Sequence, residues 1–550
     1  MITDQLAGLV RAALDAAASD GLVDAGAEVR FERPKRREHG DWATNVALAA
    51  ARGRGRPRDV AAALVERLPA SNLVERVDVA GPGFLNFHLS SRWLHDVVRR
   101  AARADGRFAR TDEGRGRRVN LEYVSSNPTG PLNVVSGRHA AIGDALANLL
   151  TATGHEVARE YYVNDSGRQI RLFGASVAAR YLQEHGVDAQ LPEDGYRGDY
   201  VVDIARDIVK EVGDEYVGAD PAARDEALGG IALGKMLASI RASLERFGTK
   251  HDIWFLESSM HESGAIDAAL KQLRAAGMLE DRDGAVWFRS TELGDDKDRV
   301  LVRATGEPTY FTADVAYLLD KANRGFYLLV YLLGADHHGS VPRWLAAADA
   351  LGLGRDRVEL RLVQTVTILR AGEAVKASKR AGVVVPLDEL VDDVGADAAR
   401  YTFLTRSLDS RLDFDIDLAR EQAPENPVYY VQYAHARICS ILRRAAGEGI
   451  VADAQSAPLD RLAHPSEDEL MRKLAAYEEV VPEAARLWAP QRVTRYVEEL
   501  ASTFSAFYRD CRVVSEDGEL SRARVALCVA TKAVIADALG LLGVGAPESM

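Results

Sequence analysis

The chain has 550 residues, 47% hydrophobic and 27% charged, a balance that fits a soluble globular protein of about three or four domains. Its net charge of −13 argues against a non-specific nucleic-acid coat but not against local basic surfaces. No apolar run reaches the ~18 residues of a membrane span, the start MITDQLAGLVRAALDAA carries Asp4 and Asp15 unlike a signal peptide, and Cys439, Cys511 and Cys528 lie far apart without a C-x-x-C, so neither a disulfide framework nor a zinc site is indicated and a reducing cytoplasm is the natural compartment.

Residues 1–112 read as a small α+β module. A helix from Thr3 to Ala18 is followed by a basic loop, RPKRREH from Arg33, and by helices around Ala43–Arg52 and Val60–Arg67. Two strands follow, ERVDVAG and GFLNFHL. The second alternates Phe84, Asn86 and His88 with Leu85, Phe87 and Leu89, as a half-buried strand should. Residues 1–118 hold 21 Lys+Arg against 16 Asp+Glu, so this end is basic while the remainder is acidic. Its clusters, RPKRREH and RGRGRPR, are either a solvated surface or phosphate contacts. RTDEGRGRR then reads as a linker.

From Val119 the pattern becomes α/β: a strand VNLEYVSS, a helix GRHAAIGDALANLLTATG and a strand HEVAREYYVND. A helical insertion occupies about 167–250. Strand patterns resume at AVWFRS, RVLVRA, FYLLVYLLGADHHG and VELRLVQTVTIL, and the alternation predicts a doubly wound, mostly parallel sheet over 113–420. Residues 421–550 read as all-helical. There NPVYYVQYAHARICSILRRAA places Tyr430, Tyr433, Ala434, Arg437, Ile441 and Leu442 on one face.

Four stretches carry chemistry. SSNPTGPLNVVSGRHAAIGD has the layout of a phosphate-binding strand–turn–helix. GEAVKASKRAG sets Lys376, Ser378, Lys379 and Arg380 between glycine turns, which suits a leaving pyrophosphate or is simply a solvated basic loop. PTYFTADVAYLLDK suggests a helix N-capped by Thr312, with Asp314 either a capping acid or, one turn from Tyr310, a carboxylate facing a cationic group. GADHHGSV lies at the carboxyl end of an apolar strand. Adjacent histidines point opposite ways on extended chain, so Asp336 and His337 favour ribose or adenylate contacts over a metal site.

Taken together, ERPKRREHGDWATNVALA, GPGFLNFHL, YYVNDSGRQI, YRGDYVVDIA, WFRSTELGDDKDRVLVRATGEPTYFTADVAYLLDK, GADHHGSVPR and DSRLDFDIDLAREQAPENPVYYVQYAHARICSILR resemble the arginyl-tRNA synthetases over essentially the whole chain. The resemblance implies a Rossmann-like catalytic domain between a module that grips the tRNA elbow and a helical anticodon-binding domain. It implies ATP-dependent activation of arginine as the adenylate, then transfer to the terminal adenosine of tRNA(Arg), with ATP and Mg2+ as substrate and no dedicated metal site. A cytoplasmic monomer is expected.

By the same resemblance Glu122, Asn127, Tyr310 and Asp314 line the arginine pocket, and Pro128, Thr129, Gly130, Asn133, Val135, Gly137, Asp336, His337 and Lys379 contact ATP. Lys376, Ser378, Lys379, Asn133 and Ser136 are the catalytic set, and Arg33, Lys35, Asn86, Tyr430, Tyr433, His435 and Arg437 touch tRNA. Both signature motifs depart from the family pattern. His-x-Gly-His falls on Asn133-Val134-Val135-Ser136, and Lys-Met-Ser-Lys-Arg on Lys376-Ala377-Ser378-Lys379-Arg380. Asn133 can still donate a hydrogen bond, Ser136 is too short to reach the same phosphate directly, and Val135 occupies space where a glycine lets adenine pack on backbone. Two weakened donors and a filled base pocket could remove ~10⁴-fold of activation. The alternative expectation is therefore an impaired paralogue that binds tRNA or arginine as an accessory protein.

Overall fold

The computed structural model describes residues 2–24, 26–51, 55–103, 107–375, 385–451 and 453–550. The N-terminal helix, Ile2–Ser19, buries Leu6, Val10, Ala13, Leu14 and Ala17 on one stripe. It joins an antiparallel sheet of order β1-β3-β2, with β1 Trp42–Thr44, β2 Val74–Ala80 and β3 Phe84–Leu89. The alternation in GFLNFHL holds: Leu85, Phe87 and Leu89 are all core. One expected helix starts late, because Ala43 and Thr44 pair with Asn86 and Leu85 in β1 and leave only Val46–Ala50 helical.

Five parallel strands form the central sheet, in the order β11-β10-β4-β5-β6. They are β4 Arg118–Glu122, β5 Glu156–Val163, β6 Ile253–Leu256, β10 Leu328–Gly334 and β11 Val358–Val363. The order steps from β4 to both β5 and β10, so β4 marks the point where the winding reverses, the place beyond whose carboxyl ends open α/β sheets bind ligands.

Two strand expectations need correcting. AVWFRS and RVLVRA are absent from the parallel sheet. They supply β8 Ala285–Phe288 and β9 Arg299–Val302 of a separate antiparallel sheet with β7 Leu279–Arg282. VELRLVQTVTIL breaks after Val363, and its second half, β12 Val366–Arg370, pairs with β13 Glu373–Ala374 and β14 Leu412–Asp415. Short apolar runs carry no information about which sheet they join, because pairing partners are chosen by distant chain.

The Val134–Ala152 helix is buried on nearly all sides, which explains its weak amphipathic period. Gly143 lets it close on β4, since a Cβ there would lie 2.2 Å from the Tyr123 ring. The helical insertion consists of Gly167–Glu184, Asp199–Val212 and Pro221–Arg246. The last of these is, by length and mean hydropathy, apolar enough to cross a membrane, a property no sequence run suggested. It packs on the first at Gly174 and Gly229, where a Cβ on Gly174 would lie 3.0 Å from the Gly229 Cα.

The C-terminal region is helical: Pro427–Gly447, Pro465–Arg486, Gln491–Asp510 and Gly518–Leu541. The single face expected for the first of these is divided. Ala434 and Ile441 are buried with Val428, Val431 and Ile438, whereas Tyr433 is exposed and Arg437 half-buried. All three cysteines are buried and free.

Candidate active site

β4 ends at Glu122, and the chain then turns sharply. Val124 and Ser125 adopt φ of 71° and 39°, a conformation that a β-branched residue such as valine rarely takes. The kink brings Ser125 Oγ to donate to Glu122 Oε1 at 3.1 Å, while Glu122 Oε2 accepts from Lys321 Nζ at 2.6 Å. Lys321 is fully buried, its ammonium 4.3 and 3.8 Å from the Tyr317 and Tyr331 ring centroids. Burial lowers its pKa, an effect that Glu122 and Glu160 oppose.

Beneath this pair lies a second buried carboxylate. Glu160 accepts from Asn120, Tyr317 and both terminal nitrogens of Arg324, at 2.5–2.9 Å. Burial would raise this carboxyl, but the Arg324 hydrogen bond, Lys321 and Tyr317 hold it below the ordinary value.

Tyr310–Asn323 is helical, with Thr309 as its N-cap residue. Thr312, expected to cap it, lies inside the first turn and donates to the Leu301 carbonyl at 2.5 Å. Asp314 is therefore in the second turn and no cap. The i, i+4 relation to Tyr310 remains. Burial raises the Asp314 carboxyl to about 7; Arg343 opposes the rise, and Glu122 and Glu257 add to it. Tyr162 shares this environment: its phenol hydrogen-bonds Glu257, and Asp314 and Glu122 act on it as well. Three carboxylates thus gather around Tyr162, compensated by two cations, Lys321 and Arg343. With all three ionised they would outnumber these two cations by one, and the raised Asp314 carboxyl is the response of the empty pocket to that deficit. Tyr310, 65% exposed, stands at its rim, beside Gly167.

The signature turn meets the Val134–Ala152 helix at Asn133. Asn133 Oδ1 accepts from the backbone N–H of Val135 and Ser136 at 2.9 and 3.1 Å, as an N-cap. With Oδ1 committed, the amide NH2 is the group left to donate. Ser136 is buried, its Oγ 2.9 Å from Ser126 Oγ. Val135 is half-buried. A Cβ on Gly137 would lie 2.6 Å from Leu387 Cδ1 and 3.2 Å from the Phe403 ring, so helix packing here requires a glycine. Replacing Asn133 with Ala is expected to lower stability by ~1 kcal/mol through loss of the cap, measurable by urea unfolding.

Pro128 and Thr129 are buried and Asn127 is exposed on the same turn. Asp336 and His337 lie exposed on Ala335–Ser340, directly after β10. Lys376, Ser378 and Lys379 lie outside the described residues. The chain just beyond them is tied to the signature turn: Val134 N–H donates to the Val385 carbonyl at 3.2 Å, and Leu387 N–H to the Leu132 carbonyl at 2.9 Å.

Among the residues expected on tRNA, Arg33 pairs with Glu479 at 2.7 Å and stacks 4.5 Å over Trp42, which ties the N-terminal module to the helical region. Lys35 is exposed. Asn86 is buried in β3. His435 is buried, with Nδ1 2.8 Å from the Pro547 carbonyl, so it holds the C-terminal segment and is turned away from solvent. Tyr433 stacks on Tyr429 at 6.0 Å, and Arg437 lies over Tyr433 and donates to its hydroxyl at 2.7 Å. Tyr430 is half-buried, its hydroxyl 3.4 Å from Ser505.

Sequence reasoning missed Arg138, Glu160, Lys321 and the Asn133 cap. Lys321 had a signal: Tyr310, Asp314, Tyr317 and Lys321 recur at spacings of four, three and four, one face of a helix. Glu160 and Arg138 had none, because their partners come from distant chain.

A parallel five-stranded sheet with this turn–helix at its reversal point, followed by a helical C-terminal region, is the architecture of a class I aminoacyl-tRNA synthetase. The catalytic-domain model of class I synthetases for arginine (R) matches residues 99–406, the arginyl-tRNA synthetase N-terminal domain model residues 4–89, and the DALR anticodon-binding domain model residues 431–550. The chain belongs to the arginyl-tRNA synthetases. It is 46% identical to an arginine–tRNA ligase of Carboxydothermus hydrogenoformans, over 100% of this chain and 99% of the relative. It is 48% identical to that of Moorella thermoacetica, over 94% and 93%. The solved arginyl-tRNA synthetase of Thermus thermophilus shares the fold, with a TM-score of 0.76, 23% identity and full coverage of both chains. The chain is an arginine–tRNA ligase with ATP as substrate; nothing in these relatives favours the impaired alternative.

Proposed function

We propose that Glu122, Asn127, Tyr310 and Asp314 bind the arginine substrate, with Glu122 and Asp314 receiving its guanidinium. The observation that carries this is the charge deficit of the buried cluster, which one monocationic side chain would balance. A planar guanidinium can serve two carboxylates at once, which an ammonium cannot do with the same geometry. Tyr310 closes the pocket over the aliphatic stem, and Asn127 meets the α-substituted end.

ATP enters as its magnesium complex across the turn from Pro128 to Gly130. Ribose meets Asp336 and His337, and the phosphates pass the N-terminus of the Val134–Ala152 helix, whose dipole favours them. The Asn133 amide NH2 donates there, and Lys376 and Lys379 supply charge, with Ser378 a hydroxyl donor, for the departing pyrophosphate. The arginine carboxylate attacks the α-phosphorus, the bond to pyrophosphate breaks, and a hydroxyl of the tRNA terminal adenosine then takes the arginyl group and releases AMP. Lys35 in the N-terminal module and Tyr433 with Arg437 in the helical region face tRNA. The protein acts as a cytoplasmic monomer.

The test is arginine- and tRNA-dependent ATP–pyrophosphate exchange. Exchange with arginine and none with lysine is expected; equal exchange with both amino acids would overturn the pocket assignment. pH adds a second readout. The Asp314 carboxyl is raised to about 7 from the ordinary 3.8, so it takes up a proton on folding in that window and favours the folded state on the acid side. Its stabilising effect is lost as pH rises through about 7. Binding runs the other way, because the guanidinium needs the anion. KM for arginine is expected to rise as pH falls below about 7, with KM for ATP changing less.

A further inference from the structure

The helical insertion reaches back onto the substrate turn. Gln169, in the first turn of Gly167–Glu184, accepts a 2.7 Å hydrogen bond from Asn127 Nδ2. Tyr200, in the first turn of Asp199–Val212, donates its hydroxyl to the Thr129 carbonyl at 2.8 Å. The Tyr200 ring lies against Gly130, where a Cβ would sit 3.4 Å from the phenol oxygen. Tyr161 of β5 adds a third hold, donating to the Ser126 carbonyl at 2.7 Å. Pro128 and Pro131 remove two backbone donors from this turn, and its entry at Val124 and Ser125 is in a left-handed conformation. Such a segment stays in place only where its surroundings over-determine it. With the Ser126–Ser136 hydroxyl contact these make four side-chain holds, two of which come from the insertion.

The Asn127–Gln169 bond is solvent-exposed, so it adds little to folding. Its consequence is directional. Gln169 holds one of the two Nδ2 hydrogens and so fixes which way the Asn127 amide faces, leaving Oδ1 as its acceptor, and an acceptor suits an α-ammonium but not a carboxylate. The burial that raises the Tyr200 phenol to about 12 keeps it a donor throughout the working range.

We propose that Gln169 and Tyr200 are positioning residues for arginine activation: Gln169 orients Asn127 so that its Oδ1 accepts from the substrate α-ammonium, and Tyr200 fixes Thr129–Gly130 where ATP passes. The Gln169 part rests on the assignment of Asn127 to the arginine pocket. The insertion is thus a working wall of the site.

The experiment is pyrophosphate exchange with saturating tRNA on Gln169→Leu, Gln169→Glu, Tyr200→Phe and Asn127→Ala, with thermal midpoints measured beside it. Gln169→Leu is expected to raise KM for arginine about fivefold, the effect of one neutral hydrogen bond, and to leave KM for ATP unchanged. Gln169→Glu, an obligate acceptor, keeps the arginine KM within about twofold of the parent. Tyr200→Phe raises KM for ATP and leaves that for arginine unchanged. Leu and Glu at position 169 acting alike, or midpoints falling while both KM values hold, would overturn the proposal. A raised arginine KM in Asn127→Ala together with a silent Gln169→Leu overturns the positioning role alone. A silent Asn127→Ala overturns the pocket assignment and the Gln169 role with it.

Discussion

Asp314→Asn is expected to lower kcat/KM for arginine by about 30- to several thousand-fold, the ~2–5 kcal/mol associated with truncating one partner of a buried charge pair. The side chain keeps its size, and the amide keeps a hydrogen-bonding oxygen. What disappears is the negative charge. Stability is expected to move the other way or not at all, because burial and the neighbouring Glu122 and Glu257 already disfavour this carboxylate in the empty pocket. Exchange kinetics and a thermal melt on the same sample check both halves. A variant that loses activity and stability together would show Asp314 to be an internal pairing group and not a substrate contact.

The second large effect is structural. Arg138 is fully buried one turn into the signature helix and donates to four carbonyls: Gln364 and Thr365 through Nη1, at 2.8 and 3.3 Å, and Ser407 and Ser410 through Nη2, at 2.9 and 2.8 Å. Burial lowers its pKa to about 10, still well above any working pH, so it remains charged. Its acceptors flank the start of β12, the strand that precedes Lys376 and Lys379 in the chain. Arg138→Met keeps much of the volume and strands several carbonyls, at ~1–3 kcal/mol for each group left unsatisfied, so a total of roughly 3 kcal/mol or more is expected. Three domains do not unfold as one two-state unit, so the readout is a fall of several degrees in the midpoint of the catalytic-domain transition. Arg138→Lys rescues little, because a single ammonium cannot reach two pairs of carbonyls from one fork. If Arg138→Met melts with the parent, the carbonyls find other donors and the hub is redundant.

The departures at the signature turn now have a physical setting. Asn133 spends one atom on capping its own helix and keeps a donor, and Ser136 bonds Ser126 across the turn. The start of the helix is tied to Val385 and Leu387 by two backbone hydrogen bonds. The turn's side chains differ from the family pattern, and the first N–H groups of its helix are already bonded, to Asn133 Oδ1 and to the Val385 carbonyl, so what the helix start retains for an anion is its dipole and the Asn133 amide NH2.

The local elements were legible from residue order alone. The alternation in GFLNFHL, the helical insertion, the helical C-terminal region and the strand–turn–helix at NPTGP all follow from periods of two and 3.6 and from proline and glycine at turns. The carboxylate cluster was partly legible, since Tyr310 and Asp314 share a helix face. What the tertiary structure alone decided is which strands share a sheet and which charges meet. AVWF and RVLV leave the parallel sheet, and Lys321 finds Glu122 nearly two hundred residues away. Arg138 joins carbonyls brought by two later segments, and Gln169 and Tyr200 arrive on the turn from an insertion that looked peripheral. Hydrophobic period is a property of neighbouring residues, whereas compensation of a buried charge depends on whichever distant group packing brings within hydrogen-bonding distance. That is why sequence gave elements and family, and only the folded chain showed how the pocket is held.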